Sequence, residues 1–310
     1  MEHEIKEIRV AISEFLWHCR FEKSLNEKTI TAYATDLKQF SGYVGETLDL
    51  FDLSKITLKA YLQHISCFQH KTIRRKLASL RAMLNYFECE YDTYINPMRK
   101  MQIKIKEPIR LPTVMTIDEV RKILSYLYGK SLLTRSQSTC SYRADIRNIA
   151  VVELLFASGI RVSELCSLCN KDIDMANGIV RIIGKGNKER LVNICQPETL
   201  SALKHWVELR GEGADLDAPF FTNRLYHALS PQSVRQIVHR VIMETGIEKH
   251  VTPHTFRHTF ATLLLEEDVD IKYIQSLLGH SSITITQIYT HVNIHKQREI
   301  LQNKHPRRLI

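Results

Sequence analysis

The stretch at residues 104–116 (KIKEPIRLPTVMT) constrains this 310-residue chain more than any other. It carries two prolines and the basic residues Lys104, Lys106 and Arg110, and it shows no helical period. It ends in Thr116-Ile-Asp-Glu119, the pattern of a helix capping box. Such a segment separates two folding units, and length alone gives about two domains. The expected division is a helical domain at 1–102, a linker at 103–115 and a second domain at 116–310.

Ahead of the linker the apolar period is helical throughout. Ile5, Ile8, Ile12, Phe15 and Leu16 mark a first helix. Ile30, Tyr33, Leu37 and Phe40 mark a second, with Ser24 and Glu27 as a capping box. A third covers 55–65. The fourth, near 70–87, sets Leu77, Leu80, Met83, Leu84 and Phe87 on one face and Lys71, Arg74, Arg75, Lys76 and Arg81 on the other.

Beyond the linker the pattern is mixed. Helices are expected near 116–128, 144–158 and 161–169, with 129–143 as an exposed polar loop. Apolar runs at 179–183 and 190–194 flank the Gly/Asn-rich turn GKGNKE, which reads as a β-hairpin. Ser230-Pro231 opens a further helix, and the last helices fall near 254–267, 270–278, 283–290 and 294–303. The fold class is therefore α+β, mainly α: an N-terminal helical domain plus a mixed α/β domain with a small β-hairpin or sheet.

Charge narrows the partner. Lys plus Arg exceed Asp plus Glu by 43 − 34 = 9, which favours an anionic surface. The most apolar run, 149–160, contains Glu153 and is shorter than the ~18 residues of a spanning helix. Glu2, Glu4 and Glu7 stand where a secretory signal needs an apolar region. No membrane partner is expected, and seven scattered cysteines read as buried free thiols of a reducing cytoplasm.

Metal and nucleotide motifs fail on their spacing. His254 and His258 are four apart, but Thr255 stands where a metalloprotease needs Glu. Cys166-Ser-Leu-Cys169 lacks a second ligand pair and reads as two helical thiols facing a core. Gly184-Lys-Gly lacks the phosphate-loop spacing. No metal and no cofactor is expected. What remains is a series of cations with a tyrosine: Arg161 after a glycine at a helix start, Lys185 at the hairpin tip, His254 and Arg257 one helical turn apart, His280, and Tyr289 nine residues later.

In order, the segments GIRVSEL, GKGNKER, PHTFRHTFAT, LLGHSS and TQIYTHV resemble the tyrosine site-specific recombinases, the phage-integrase and Xer family. The match covers about 111–308. More loosely, Thr29, Tyr33, Asp36, Leu37 and Phe40 follow the family's core-binding pattern, which implies a SAM-like N-terminal domain. The 129–143 segment looks longer than in Xer relatives. The resemblance puts the catalytic residues at Arg161, Lys185, His254, Arg257, His280 and Tyr289, with Glu164 supporting them.

Elementary chemistry fits that set. Attack on a phosphodiester builds a dianionic phosphorane, whose oxygens two guanidiniums can bind in bidentate fashion. A phenol with a pKa near 10 needs a base and a cationic field to ionise. The 5′-oxygen needs an acid, and Lys185 can supply the proton. A phosphotyrosyl link would keep the bond energy, so rejoining would need no ATP.

Double-stranded DNA is thus the expected partner. Lys71, Arg74, Arg75, Arg81, Lys104, Lys106, Arg235 and Arg240 are its candidate contacts, chiefly to phosphates. The resemblance further implies a two-domain clamp that acts as a homotetramer on two sites through a Holliday junction, with a C-terminal tail helix docked on a neighbour. Accessory proteins, a cytoplasmic, nucleoid-associated location and no separate arm-binding domain go with it. A type IB topoisomerase-like enzyme and a non-catalytic DNA-binding module are the alternatives.

Overall fold

The computed structural model describes residues 6–105, 112–134, 139–184, 189–211 and 215–279. The chain divides into two compact units, residues 1–109 and 110–310. The first unit is built from α1 (Ile8–Phe21), α2 (Glu27–Val44), α3 (Lys55–His64) and α4 (His70–Glu90). The apolar stripe of α4 is buried as its period requires, from Leu77 through Phe87, against Phe15 of α1 and Leu37 and Phe40 of α2. Asn26, not Ser24, caps α2, its side chain accepting from the Lys28 N–H at 2.9 Å. Ser24 has a φ of 47°, which takes it out of the extended cap geometry.

One member of the basic face turns inward. Lys76 is 4% exposed because Asp36, 1% exposed, draws it down from α2. The Lys76 ammonium lies 3.5 Å from Asp36, Arg75 bonds the same carboxylate at 2.6 Å, and Ser79 donates to it at 3.0 Å. A buried carboxylate needs such partners. Lys76 therefore belongs to the core and not to a DNA-facing surface.

The second unit packs α5 (Ile117–Thr134), α8 (Pro197–Arg210) and α10 (Pro253–Glu266) around α6 (Thr139–Ser158). Thr116 and Glu119 form the capping box at the start of α5, with bonds of 2.7 and 3.2 Å. Buried Glu153 on α6 ties three helices together, accepting from Tyr128 and Thr199 at 2.9 Å each. One expectation fails here. The segment 129–143 is not a loop: α5 continues to Thr134 and α6 begins at Thr139. Leu132 and Leu133 are 71% and 70% exposed, so that turn of α5 carries no apolar period to read. The helix α8 carries only a weak apolar period in the sequence, because two of its buried positions, Thr199 and Ala202, are small or polar.

Among the described residues the β-structure is a three-stranded antiparallel sheet, β1 (Ile173–Asp174), β2 (Ile179–Ile183) and β3 (Glu189–Asn193), in sequential order. Pairing sets Val180 opposite Val192 and Ile182 opposite Arg190 on the inner face. Among the described residues the remaining α-helices are α7 (Val162–Ser167), α9 (Pro231–Thr245), capped by Ser230, and α11 (Ile271–Leu278). The sequence expectations for helices near 283–290 and 294–303 lie outside the described residues. Cys169 falls beyond the end of α7, so the two thiols do not share a helix. Of the seven cysteines, all free, Cys19 alone is buried; Cys166 and Cys169 are half-buried and the other four are exposed, so the expectation of buried thiols holds for one. Among the described residues no helix is long and apolar enough to cross a membrane.

Candidate functional site

The site is organised around the C-terminus of α11. The last carbonyls of a helix have no partner within it and carry partial negative charge. Here three arginines from three elements satisfy three consecutive ones. Arg190 on β3 donates its Nε to Leu277 O at 3.1 Å, and Arg257 on α10 donates to Leu278 O at 2.6 Å. Arg161, which starts α7, donates to Gly279 O at 3.3 Å. Gly279 ends the helix in the left-handed conformation (φ 65°, ψ 46°), and the next residue in the chain is His280.

Glu164 holds two of these arginines. It accepts from the Arg161 backbone N–H at 3.0 Å and from the Arg161 guanidinium at 2.7 Å, closing the first turn of α7. Arg190 grips the same carboxylate in bidentate fashion at 3.1 and 2.7 Å. Burial on its own would raise the pKa of Glu164, but the hydrogen bonds from Arg190 and Arg161 outweigh it and hold the carboxyl down at about 2.

Arg257 is 4% exposed, and it also donates to Gly159 O at 2.7 Å. His254, one turn earlier on α10, is exposed. Thr252 caps that helix and Pro253 takes its first position, so His254 is not the cap. Partial burial lowers the His254 pKa, and the charges of Arg257, Arg235 and Arg161 lower it further. The imidazole is therefore neutral at pH 7 and able to accept a proton. His258 is pushed down to about 4, by burial first and then by His254 and Arg257.

Thus Arg161, His254 and Arg257 come together, with Arg235 close enough to act on His254. Lys185, His280 and Tyr289 lie outside the described residues, as does Lys106. In the first unit, Lys71, Arg74, Arg75, Arg81 and Lys104 line one cleft of about 830 Å³. Arg240 lines a separate cleft of the second unit. Among the described residues no group of three or more His, Cys, Asp or Glu could hold a metal ion.

Arg190 was missed by sequence reading. The run Arg190-Leu-Val suggests Leu191 inward, yet Leu191 is 62% exposed and Arg190 shares the inner face with Val192. Its signal was present only as the last letter of GKGNKER.

Gly159 explains the glycine before Arg161. Its φ is 57°, and a Cβ there would lie 2.7 Å from Phe260 Cδ1 and 2.9 Å from Leu278 Cδ2. Gly159→Ala should lower stability by about 2–4 kcal/mol, from left-handed strain plus overpacking. It should also slow any reaction that depends on Arg257, whose Gly159 O anchor would move. Urea unfolding checks the first effect; an unchanged midpoint would refute the strain.

Residues 114–296 match the model of the phage integrase family, and residues 12–90 match that of the phage integrase N-terminal SAM-like domain. A tyrosine recombinase of Agathobacter rectalis is 42% identical over 308 residues, covering 97% of this chain and 98% of that protein. Tyrosine recombinase XerC of Pelobacter propionicus is 33% identical over 301 residues, covering 96% and 95%. Among solved structures, XerH recombinase bound to palindromic difH substrate superposes with a TM-score of 0.78 at 22% identity, covering 98% of this chain and 99% of that one. A lambda integrase dimer bound to a COC′ core site gives 0.71 at 18% identity, covering 92% and 77%. Those two likenesses are of fold. The near-full-length relatives and a family model spanning the arginine cluster carry the assignment: the chain belongs to the phage integrase family of tyrosine recombinases, whose members cleave and rejoin DNA.

Proposed function

We propose that the protein is a site-specific DNA recombinase with Tyr289 as nucleophile and Arg161, Lys185, His254, Arg257 and His280 as its catalytic partners. The observation that carries this reading is the convergence of Arg161 and Arg257 on adjacent carbonyls immediately before His280. Two guanidiniums held there suit the two charges of a phosphorane. In the reaction, the Tyr289 phenol gives its proton to a base, for which neutral His254 is suited. The phenolate oxygen then bonds to phosphorus, the bond from phosphorus to the 5′-oxygen breaks, and Lys185 protonates that oxygen. The free 5′-hydroxyl of a partner strand reverses these steps. Exchange of strands between two sites calls for four protomers and a Holliday junction, with the residues after 293 as the means of docking on a neighbour. Duplex DNA is the substrate, the cytoplasm is the compartment, and no metal or nucleotide takes part.

The test is to locate the site by footprinting on host DNA. A duplex of that site, nicked so that the cut strand diffuses away, then traps the covalent adduct in excess EDTA without ATP. No adduct under those conditions would overturn the proposal.

The role of Lys185 has its own test. Lys185→Ala should cut ordinary DNA about 10²–10⁴-fold more slowly, the usual scale of general-acid catalysis. A 5′-bridging phosphorothiolate should be cut by the variant nearly as fast as by wild type, because a thiolate leaves without a proton. Equal defects on both substrates would make Lys185 a purely electrostatic residue.

A further inference from the structure

The helix that carries His254 and Arg257 is tied to a distant part of the chain. Buried Met115 donates its backbone N–H to the Thr259 hydroxyl at 2.9 Å, across 144 positions of sequence. One residue earlier, Val114 O accepts from the Lys249 ammonium at 3.2 Å. Residues 114 and 115 thus clip positions 249 and 259, and both His254 and Arg257 stand between the clips.

Each clip is anchored in its own way. Thr259 is fully buried on α10, two residues beyond Arg257. A buried backbone N–H needs a partner, and valine, with threonine's shape but no hydroxyl, would offer Met115 none. Lys249 also bonds the Glu119 carboxylate at 2.8 Å, and Glu119 accepts from the Thr116 N–H at 2.7 Å. Burial would raise the Glu119 pKa, but the hydrogen bonds from Lys249 and Thr116 outweigh it and hold the carboxyl below its ordinary value. Glu119 therefore joins the start of α5, the 114–116 segment and the residues just ahead of α10.

The arginine contacts do not make these clips redundant. Arg257 bonds Gly159 O and Leu278 O through the tip of a long side chain. Those bonds fix the guanidinium and leave the height of the helix to be set elsewhere. His254 is exposed on the same helix, so the position of the α10 backbone sets its distance from Arg161 and Arg235, whose charges act on it. A slip of one residue along a helix axis is about 1.5 Å. Misplacement on the order of 1 Å can cost about 10²-fold in rate.

We infer that Thr259 and Lys249 are positioning residues for the reaction: they lash the 114–116 segment along α10 as a splint that keeps His254 and Arg257 in register with Arg161. The inference rests on the proposed reading of that site as a DNA-cleaving centre.

The experiment uses the full chain and follows two readouts. One is the rate of adduct formation on a saturating nicked duplex of the footprinted site. The other is the titration of the His254 imidazole by NMR, assigned with His254→Gln. Thr259→Val should lower the rate by about 10–10²-fold with affinity for the duplex unchanged. Its His254 pKa should rise toward the ordinary 6.5, as the ring moves away from Arg161 and Arg235. Thr259→Ser restores the acceptor and should match wild type in both readouts. Lys249→Met keeps the stem, loses the other clip and should move both readouts in the same direction as Thr259→Val. The Lys249 side chain is 39% exposed, so this variant tests the splint even where Thr259→Val does not fold. A folded Thr259→Val with wild-type rate, or with a slower rate and an unmoved His254 titration, would overturn the inference. So would a Thr259→Ser as impaired as Thr259→Val, or a loss of duplex affinity with the rate at saturation intact. If wild type forms no adduct while the His254 titration still shifts in the variants, the cleavage reading fails and the splint stands.

Discussion

Tyr289→Phe should bind its DNA site with wild-type affinity and form no covalent protein–DNA adduct. Phenylalanine keeps the ring and removes the one oxygen that can bond to phosphorus. The expected loss of cleavage is about 10⁶-fold, the scale on which removing a nucleophile acts in enzymes with a covalent intermediate. Denaturing gels after incubation with a nicked duplex read the adduct directly, and a binding assay on the same samples shows that recognition survives. The variant separates the nucleophile from its rivals. Tyr226 and Tyr273 are both well exposed, at 62% and 70%, so exposure alone does not disqualify them. Tyr226, however, accepts a hydrogen bond from Arg143 in a different cleft, and Tyr273 stands on α11 one residue before buried Ile274. An adduct that persists in Tyr289→Phe would move the nucleophile to one of these.

Glu164→Ala should damage folding and chemistry together. The carboxylate is 5% exposed and faces two guanidiniums, so its removal leaves positive charge confined around α7 without its counter-ion. Breaking a buried pair from one side costs about 3–5 kcal/mol. Arg161 and Arg190 would also lose the anchor that aims them at Leu277 O and Gly279 O, so cleavage should fall by more than stability explains. Acid unfolding gives an independent reading. Because the folded-state pKa of Glu164 is about 2 against an ordinary 4.5, its contribution is fully present above pH 4.5 and is lost as pH falls toward 2. Wild type should show that loss and Glu164→Ala should lack this part of it. His258 acts in the same direction at higher pH: its folded pKa of about 4 lies below the ordinary 6.5, so its stabilising share is lost from pH 6.5 downward. A variant as stable as wild type at pH 7, with the same acid limb, would refute the role given to Glu164.

Helices and hairpin were legible in the sequence where one local pattern decided them. The stripe from Leu77 to Phe87 read correctly because helix period alone selects which residues face a core. The hairpin read correctly because two apolar runs flanked a glycine-rich turn. Local pattern failed at α8, whose buried face includes Thr199 and Ala202, and at the end of α5, where exposed Leu132 and Leu133 break the period.

By itself, then, the sequence determined a two-part, mainly helical chain with a small hairpin, a surplus of positive charge and an ordered set of recombinase motifs. Tertiary structure alone decided where the long cations point. Lys76 is buried because Asp36 waits on another helix, 40 positions earlier in the chain. Arg190 faces inward because Glu164 and the end of α11 meet β3 there, and Arg143 is clamped because a turn forces Tyr226 beside it. Apolar burial follows a period that neighbours in sequence share. Burial of a charge depends on a partner within hydrogen-bond reach, and only the folded chain brings that partner in.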